Sequence, residues 1–119
     1  MLKIAVFAAA LAVAAVPAAA TAQGRQDFQL RNATGYDIAE VYVAPTSSDN
    51  WEEDVMGEDT LDNGQRVTIH FPVKAKQCLY DIKVVWTDGD EAEWHKFDLC
   101  TVSRITLYWN NGEASADYE

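Results

Sequence analysis

The segment Ser48–Gly64, SDNWEEDVMGEDTLDNG, is the part of this chain best supplied with groups for chemistry. It holds seven carboxylates and a tryptophan in seventeen positions. Carboxylate oxygens are ligands that Ca²⁺ prefers in proteins. A calcium site is therefore one hypothesis for the segment, although the EF-hand spacing D-x-[DN]-x-[DN]-G does not occur in it. The candidate ligands are Asp49, Glu53, Asp54, Glu58, Asp59 and Asp62.

The same segment has a structural interpretation that needs no ligand. Ser47–Asp49 supplies N-cap side chains, and the acidic residues that follow suit the first turn of a helix, where the helix dipole favours anions. We predict a short helical turn over Asn50–Met56, with Trp51 packed inward as the structural anchor and with Val55 and Leu61 in support. In this interpretation most of the carboxylates only contact water.

Catalysis has few candidate groups in this sequence. His70 and His95 are its two histidines, and none of the motifs G-x-S-x-G, H-x-x-x-H or a glycine-rich phosphate loop is present. We therefore assign no catalytic residue and expect that the protein is not an enzyme. A minimal hydrolase that uses paired carboxylates, such as Asp54 and Asp59, is the catalytic alternative.

The first residues, MLKIAVFAAALAVAAVPAAATA, have the pattern of a secretory signal peptide. Lys3 precedes an apolar run over 4–16, and small residues lead to an A-x-A-like cleavage site at Ala20–Ala22. The run is shorter than the ~20 residues of a membrane span. We predict a cleaved signal at 1–22, a periplasmic or secreted bacterial protein, and no stable membrane insertion after cleavage.

The two cysteines, Cys78 and Cys100, are expected to form a disulfide. An exported chain passes into an oxidising compartment, and two cysteines allow a single pairing. Closing this loop stabilises a small domain by about 3 kcal/mol on the chain-entropy model.

The formal charge indicates which partners to exclude. It is −10 for the whole chain and −11 once Lys3 is removed with the signal. Such a charge repels nucleic acid and anionic membranes and attracts cations and basic partners. We expect a protein or carbohydrate partner, no nucleic acid, and no cofactor other than Ca²⁺ on the acidic segment.

Apolar and polar residues after the signal alternate with a period of two, as in half-buried strands. Clear examples are QRVTIHF at 65–71, LYDIKVVW at 79–86 and SRITLYW at 103–109, and Asp88–Gly89 is a hairpin signal. We predict an all-β fold: a small antiparallel β-sandwich, or partly open barrel, of six to seven strands with one short helical turn and one disulfide. The domain should span 23–109, and the polar residues 110–119 should form a frayed tail.

Trp94 is the aromatic residue that the alternation singles out. It lies on the strand face of Lys96 and Asp98, opposite Phe97 and Leu99. An aromatic side chain on a polar face can mark a contact with a partner. Trp94 is therefore a candidate partner contact, although we favour its burial against a terminal strand.

Residues 30–107 also resemble a group of small, functionally uncharacterised secreted bacterial proteins. The shared pattern is N-x-T-G, V-Y-V-x-P, D-x-W-x-x-D-x-x-G, L-x-x-G and two cysteines around a D-G hairpin. Some members of that group bear an argininosuccinate lyase label, but this chain is far too short for that enzyme and lacks its serine-rich signature loop. The resemblance implies an exported β-domain in which Trp51, Asp54 and Gly57 are framework residues. The function expected from the sequence is a binding or interaction module of the bacterial envelope.

Overall fold

The computed structural model describes residues 26–71 and 76–119. The predicted signal peptide lies outside these ranges. Within them, the chain forms seven strands and no helix. The described residues therefore contain no helix that could span a membrane. The strands are β1 (Phe28–Ala33), β2 (Ile38–Pro45), β3 (Arg66–Ile69), β4 (Leu79–Trp86), β5 (Glu91–Asp98), β6 (Arg104–Asn110) and β7 (Glu113–Tyr118).

The strands form two sheets, which confirms the predicted β-sandwich. One sheet has the order β3-β1-β6-β7 and the other has the order β2-β4-β5. All neighbouring strands are antiparallel except β1 and β6, which run parallel. Since β1 and β6 are parallel, the turn after Ala33 and the turn after Asn110 lie at the same end of the sandwich.

The core lies between the two inner faces, where the alternating residues of the strands meet. Leu30 from β1, Ile82 and Val84 from β4, and Leu107 from β6 are fully buried. Period-two alternation in β1, β4 and β6 therefore predicted which side chains face inward.

The β4–β5 hairpin ends in the predicted disulfide between Cys78 and Cys100, whose Cα atoms are 5.1 Å apart. The Leu99 N–H donates to the Cys78 carbonyl at 2.8 Å, so Cys78 lies opposite Leu99 and diagonal to Cys100. The register of the hairpin shifts between Tyr80 and Ile82. The disulfide prediction is confirmed, and the bond links the two strands at the open end of the hairpin.

That register shift shows that the polar-face assignment of Trp94 is wrong and confirms its favoured burial against the terminal strand. Lys96 has a φ of 65°, which marks the extra residue of a β-bulge in β5. Because one extra residue reverses the alternation, Trp94 and Phe97 both point into the core. The Trp94 indole N–H donates to the Ser115 carbonyl of β7 at 2.8 Å. Trp94 is a core residue, and it is not available as a partner contact.

The predicted frayed tail at 110–119 is also wrong, because most of it forms β7. The β6–β7 hairpin turns at Asn111 and Gly112, whose φ values are 53° and 80°. Asn-Gly is the preferred pair for a two-residue turn with positive φ at both positions. β7 then covers the Trp94 side of the sandwich and pairs with β6 along its length.

The acidic segment lies along the free edge of β2. The Val55 N–H donates to the Val41 carbonyl at 2.8 Å, and the Asp54 carboxylate accepts the Val41 N–H at 2.9 Å. Further along, Ile38 and Leu61 exchange two backbone hydrogen bonds. The segment therefore occupies hydrogen-bonding groups that an edge strand would leave open.

The predicted helical turn over Asn50–Met56 is not formed. Glu52 has a φ of 63°, which a right-handed helix does not allow, and the turns lie later, at 55–58. Leu61 is buried in the core, as expected, whereas Val55 is exposed. Backbone and carboxylate hydrogen bonds to β2, together with Leu61, hold the segment in place.

Candidate binding groove

A corner built from Asn32 and Thr34 shapes one end of the sandwich. The buried Asn32 amide donates to the carbonyls of Tyr36 and Leu61 at 2.7 and 2.9 Å. Its carbonyl oxygen accepts hydrogen bonds from the backbone N–H and the hydroxyl of Thr34 at 3.0 and 2.7 Å. The Thr34 hydroxyl in turn accepts the Trp86 indole N–H at 3.0 Å. These contacts fix the turn that carries Tyr36 relative to Trp86.

An open groove of about 660 Å³ lies beside this corner. Trp86 forms its floor and is almost completely buried, while Trp109 forms a half-buried wall with its ring centroid 5.3 Å from that of Trp86. The Tyr36 ring stands edge-on to Trp86 and is 60% exposed, so its surface is open to a ligand. We call this site the aromatic groove; its lining residues are Tyr36, Trp86, Asp88, Gly89, Asp90, Glu91 and Trp109.

The opposite wall of the aromatic groove is acidic. The β4–β5 turn brings Asp88, Asp90 and Glu91 to the groove, all of them exposed. Asp88 accepts the Asp90 N–H at 3.0 Å, which holds the turn in shape. Among the described residues, no basic side chain lies within 4.0 Å of these three carboxylates. The groove thus combines aromatic surface with unneutralised negative charge.

The six acidic residues predicted as calcium ligands do not converge. No three of them bring ligand atoms within 4.8 Å of one another in the described part of the chain. Asp54 is occupied by the Val41 and Met56 N–H groups, each at 2.9 Å, and Asp62 accepts a hydrogen bond from the Thr60 hydroxyl at 3.2 Å. The others are Asp49, Glu53, Glu58 and Asp59, all exposed. The arrangement does not form a ready-made cation site.

The group of Cys78, Asp98 and Cys100 does bring potential ligand atoms within that distance. Both sulfur atoms are in the disulfide, however, and a metal-binding cysteine must be a free thiolate. This cluster is therefore part of the disulfide and not a metal site.

Trp51 lies outside the core, which makes its predicted inward packing wrong. It is half-buried, and its ring stands 5.6 Å from the Lys83 ammonium on the outer face of β4. The same ammonium lies 4.9 Å from the Tyr42 ring. Trp51 is thus a surface cation–π partner on the three-stranded sheet, worth about 0.5–1 kcal/mol at an exposed site.

The two histidines make contacts with carboxylates. His95 Nδ1 lies 2.9 Å from an Asp81 oxygen, and its Nε2 lies 3.4 Å from Glu93. His70 Nδ1 lies 3.2 Å from Asp27, whose other oxygen accepts the Phe71 N–H. Both imidazoles are exposed, and neither lines the aromatic groove.

Asp81 is the most heavily bonded carboxylate on the outer face of the three-stranded sheet. It accepts the Thr46 hydroxyl at 2.7 Å and the Lys96 N–H at 2.9 Å, besides contacting His95. Burial by itself would raise the pKa of Asp81, but the hydrogen bonds from Thr46, His95 and the Lys96 N–H outweigh burial and leave the pKa lowered. The bulge that turns Trp94 inward is thus held by Asp81 through the Lys96 N–H.

Asp81→Asn is expected to lower the free energy of unfolding by about 1–2 kcal/mol at pH 7, since hydrogen bonds to a charged group are lost. A carboxylate with a lowered folded-state pKa stabilises the fold above its ordinary pKa of 3.8, and this contribution is lost as the pH falls through the lower folded value. The gap between variant and parent should therefore close below about pH 4 in urea denaturation. The exposed Asp59→Asn is the control, and a gap of equal size at pH 3 and pH 7 would contradict the assignment.

The aromatic groove could not be identified from local spacing. Its residues come from the β1–β2 turn, the β4–β5 turn and the end of β6, which are far apart in sequence. The available signal was the N-x-T-G stretch at 32–35, whose polar side chains form the corner.

Comparison of the chain with protein-family models, with curated proteins and with solved structures gives no match.

Proposed function

We propose that the protein is a small exported binding module of the bacterial envelope, and that the aromatic groove binds a positively charged group of a protein partner. The observation that carries the proposal is the pairing of an exposed tyrosine and a tryptophan wall with three carboxylates that have no basic side chain within 4.0 Å among the described residues. Aromatic ring faces attract cations, and carboxylates add a direct charge attraction.

The charge of the whole chain supports a basic partner. A formal charge of −10 attracts basic groups over distances of about one Debye length, ~8 Å at physiological salt. The groove volume of about 660 Å³ accommodates a lysine or arginine side chain together with its neighbours. The disulfide and the signal-like first residues support an oxidising compartment outside the cytoplasm. We also propose that the chain belongs to the group of small secreted bacterial proteins that it resembles.

The test is an NMR titration of the ¹⁵N-labelled protein with a tetra-arginine peptide, with cellotetraose as the uncharged alternative. The peptide should shift the indole signal of Trp109 and the amides of 88–91, and its affinity should fall as salt rises. Replacing Tyr36 by alanine, or Asp88 and Asp90 together by asparagine, should weaken binding about tenfold or more.

Tyr118→Ala is the matched control, since Tyr118 is also 60% exposed but lies away from the groove. This variant should bind the peptide as the parent does. Equal peptide affinity in the Tyr36 and Tyr118 variants would exclude the groove as the site. Saturable binding of cellotetraose without peptide binding would instead assign the groove to carbohydrate.

A further inference from the structure

Three arginines share the outer face of the four-stranded sheet. Arg31 and Arg66 are direct cross-strand neighbours in β1 and β3, and Arg104 pairs with Gln29 at the start of β6. Their sequence neighbours Leu30, Val67 and Ile105 point into the sandwich, so the arginines point outward. All three are exposed. We call this set the arginine face.

The arginine face is unusual for a chain of this charge. It holds three of the four arginines in a sequence whose formal net charge is −10. Like charges directly opposite one another on two strands destabilise a sheet. Among the described residues, no carboxylate lies within 4.0 Å of any of the three guanidinium groups. The Arg31–Arg66 pair is thus a like-charge contact that no described carboxylate bridges within 4.0 Å.

A cavity of about 200 Å³ opens between these side chains. Gln29 and Thr106 add neutral hydrogen-bonding groups to its wall. Asp117 and Glu119 lie on its far side, towards β7, and Asp117 accepts the hydroxyl of Tyr108 at 3.1 Å. Arg31 and Arg66 lie on the side of the cavity away from β7, whereas Arg104 is the backbone hydrogen-bond partner of Glu119.

We propose that the arginine face binds the phosphate group of a small phosphorylated molecule. A guanidinium presents parallel N–H donors that match two oxygens of a phosphate, and two adjacent arginines can share one such group. Phosphate between Arg31 and Arg66 removes the repulsion between them. A membrane surface is the less suitable source of phosphate, because the net negative charge of the whole protein repels an anionic bilayer. This site is separate from the aromatic groove and does not depend on the function proposed for it.

The experiment compares the parent with the double variant Arg31→Gln, Arg66→Gln. The control is Lys76→Gln, Lys96→Gln, which changes the net charge equally at two exposed positions outside the arginine face. Each protein is titrated with inorganic phosphate and with glycerol 3-phosphate at constant ionic strength set by chloride, and binding is followed by NMR on the arginine Nε–H and nearby backbone signals. Phosphatidylglycerol vesicles form a separate arm.

Saturable shifts at Arg31, Arg66 and Arg104 in the parent and the control, weakened about tenfold or more in the arginine variant, would support the site. The melting temperature in phosphate-free buffer should rise, or stay the same, in the arginine variant, because a like-charge contact is removed. This measurement also shows that the variant is folded. Shifts that chloride reproduces, equal affinity in the two double variants, or binding to vesicles without binding of either free phosphate would overturn the proposal.

Discussion

Trp94→Ala is expected to lower the free energy of unfolding by about 3–5 kcal/mol, the range found when large aromatic side chains are removed from a core. Trp94 is 4% exposed and packs in the main hydrophobic cluster. The substitution removes its buried surface and also leaves the Ser115 carbonyl without the indole donor. The loss should be measured by urea denaturation of the disulfide-bonded protein, with the slope of the transition checked against the parent.

Two variants separate the contribution of ring burial from that of the hydrogen bond to β7. Trp94→Phe keeps an aromatic ring in the core but removes the hydrogen bond to β7, so its effect should be smaller than that of alanine. Trp51→Ala removes the same side chain from a half-buried surface site, and its effect should also be smaller. An equal loss at positions 51 and 94 would show that the acidic segment is anchored by Trp51 after all.

Asn32→Ala is expected to cost about 3 kcal/mol or more, although it removes only a small side chain. The Asn32 side chain is fully buried and makes hydrogen bonds to Thr34, Tyr36 and Leu61. Alanine would leave the buried Thr34 N–H without its acceptor, and an unsatisfied buried group costs about 1–3 kcal/mol by itself. Urea denaturation gives the loss, and the indole N–H signal of Trp86 should shift because its acceptor Thr34 moves.

Asn32→Asp and Asn63→Ala are the controls for this result. Aspartate has nearly the same shape as asparagine but cannot donate to the carbonyls of Tyr36 and Leu61, so it should destabilise the fold at least as much as alanine. Asn63 also accepts a backbone N–H, from Gly35, but it does so at the surface and should cost much less. Tolerance of Asn32→Asp would mean that packing, and not hydrogen bonding, holds the corner.

The strands and the disulfide were predictable because their signals are local. Alternation identified β4 and the inward position of Trp86, and the Asp88–Gly89 turn set the pairing that brings Cys78 near Cys100. β7 was also within reach of the sequence, since Asn111–Gly112 is a standard hairpin pair. Its polar composition was misinterpreted as fraying, although an edge strand in contact with water can be polar.

The remaining errors come from backbone irregularities and from long-range contacts. The bulge at Lys96 contains neither glycine nor proline, so the sequence gives no local signal for it. The alternation therefore placed Trp94 on the wrong face of its strand. Positive φ at Glu52 likewise excludes the helical turn that the capping residues favoured. The aromatic groove assembles from separate turns, and only the three-dimensional structure brings Tyr36 beside Trp109.

The position of the acidic segment along β2 has a consequence for how copies of this protein meet in solution. A bare edge strand recruits the edge of another molecule, which begins amyloid-like stacking. Here an incoming strand would find the Val41 and Ile38 backbone groups already occupied. It would also approach a strip that carries seven carboxylates, and a second copy carries the same strip. The segment thus opposes self-association at this edge. Repulsion between the carboxylates of two copies keeps the molecules of a concentrated solution dispersed, and the backbone groups of β2 stay paired with the segment.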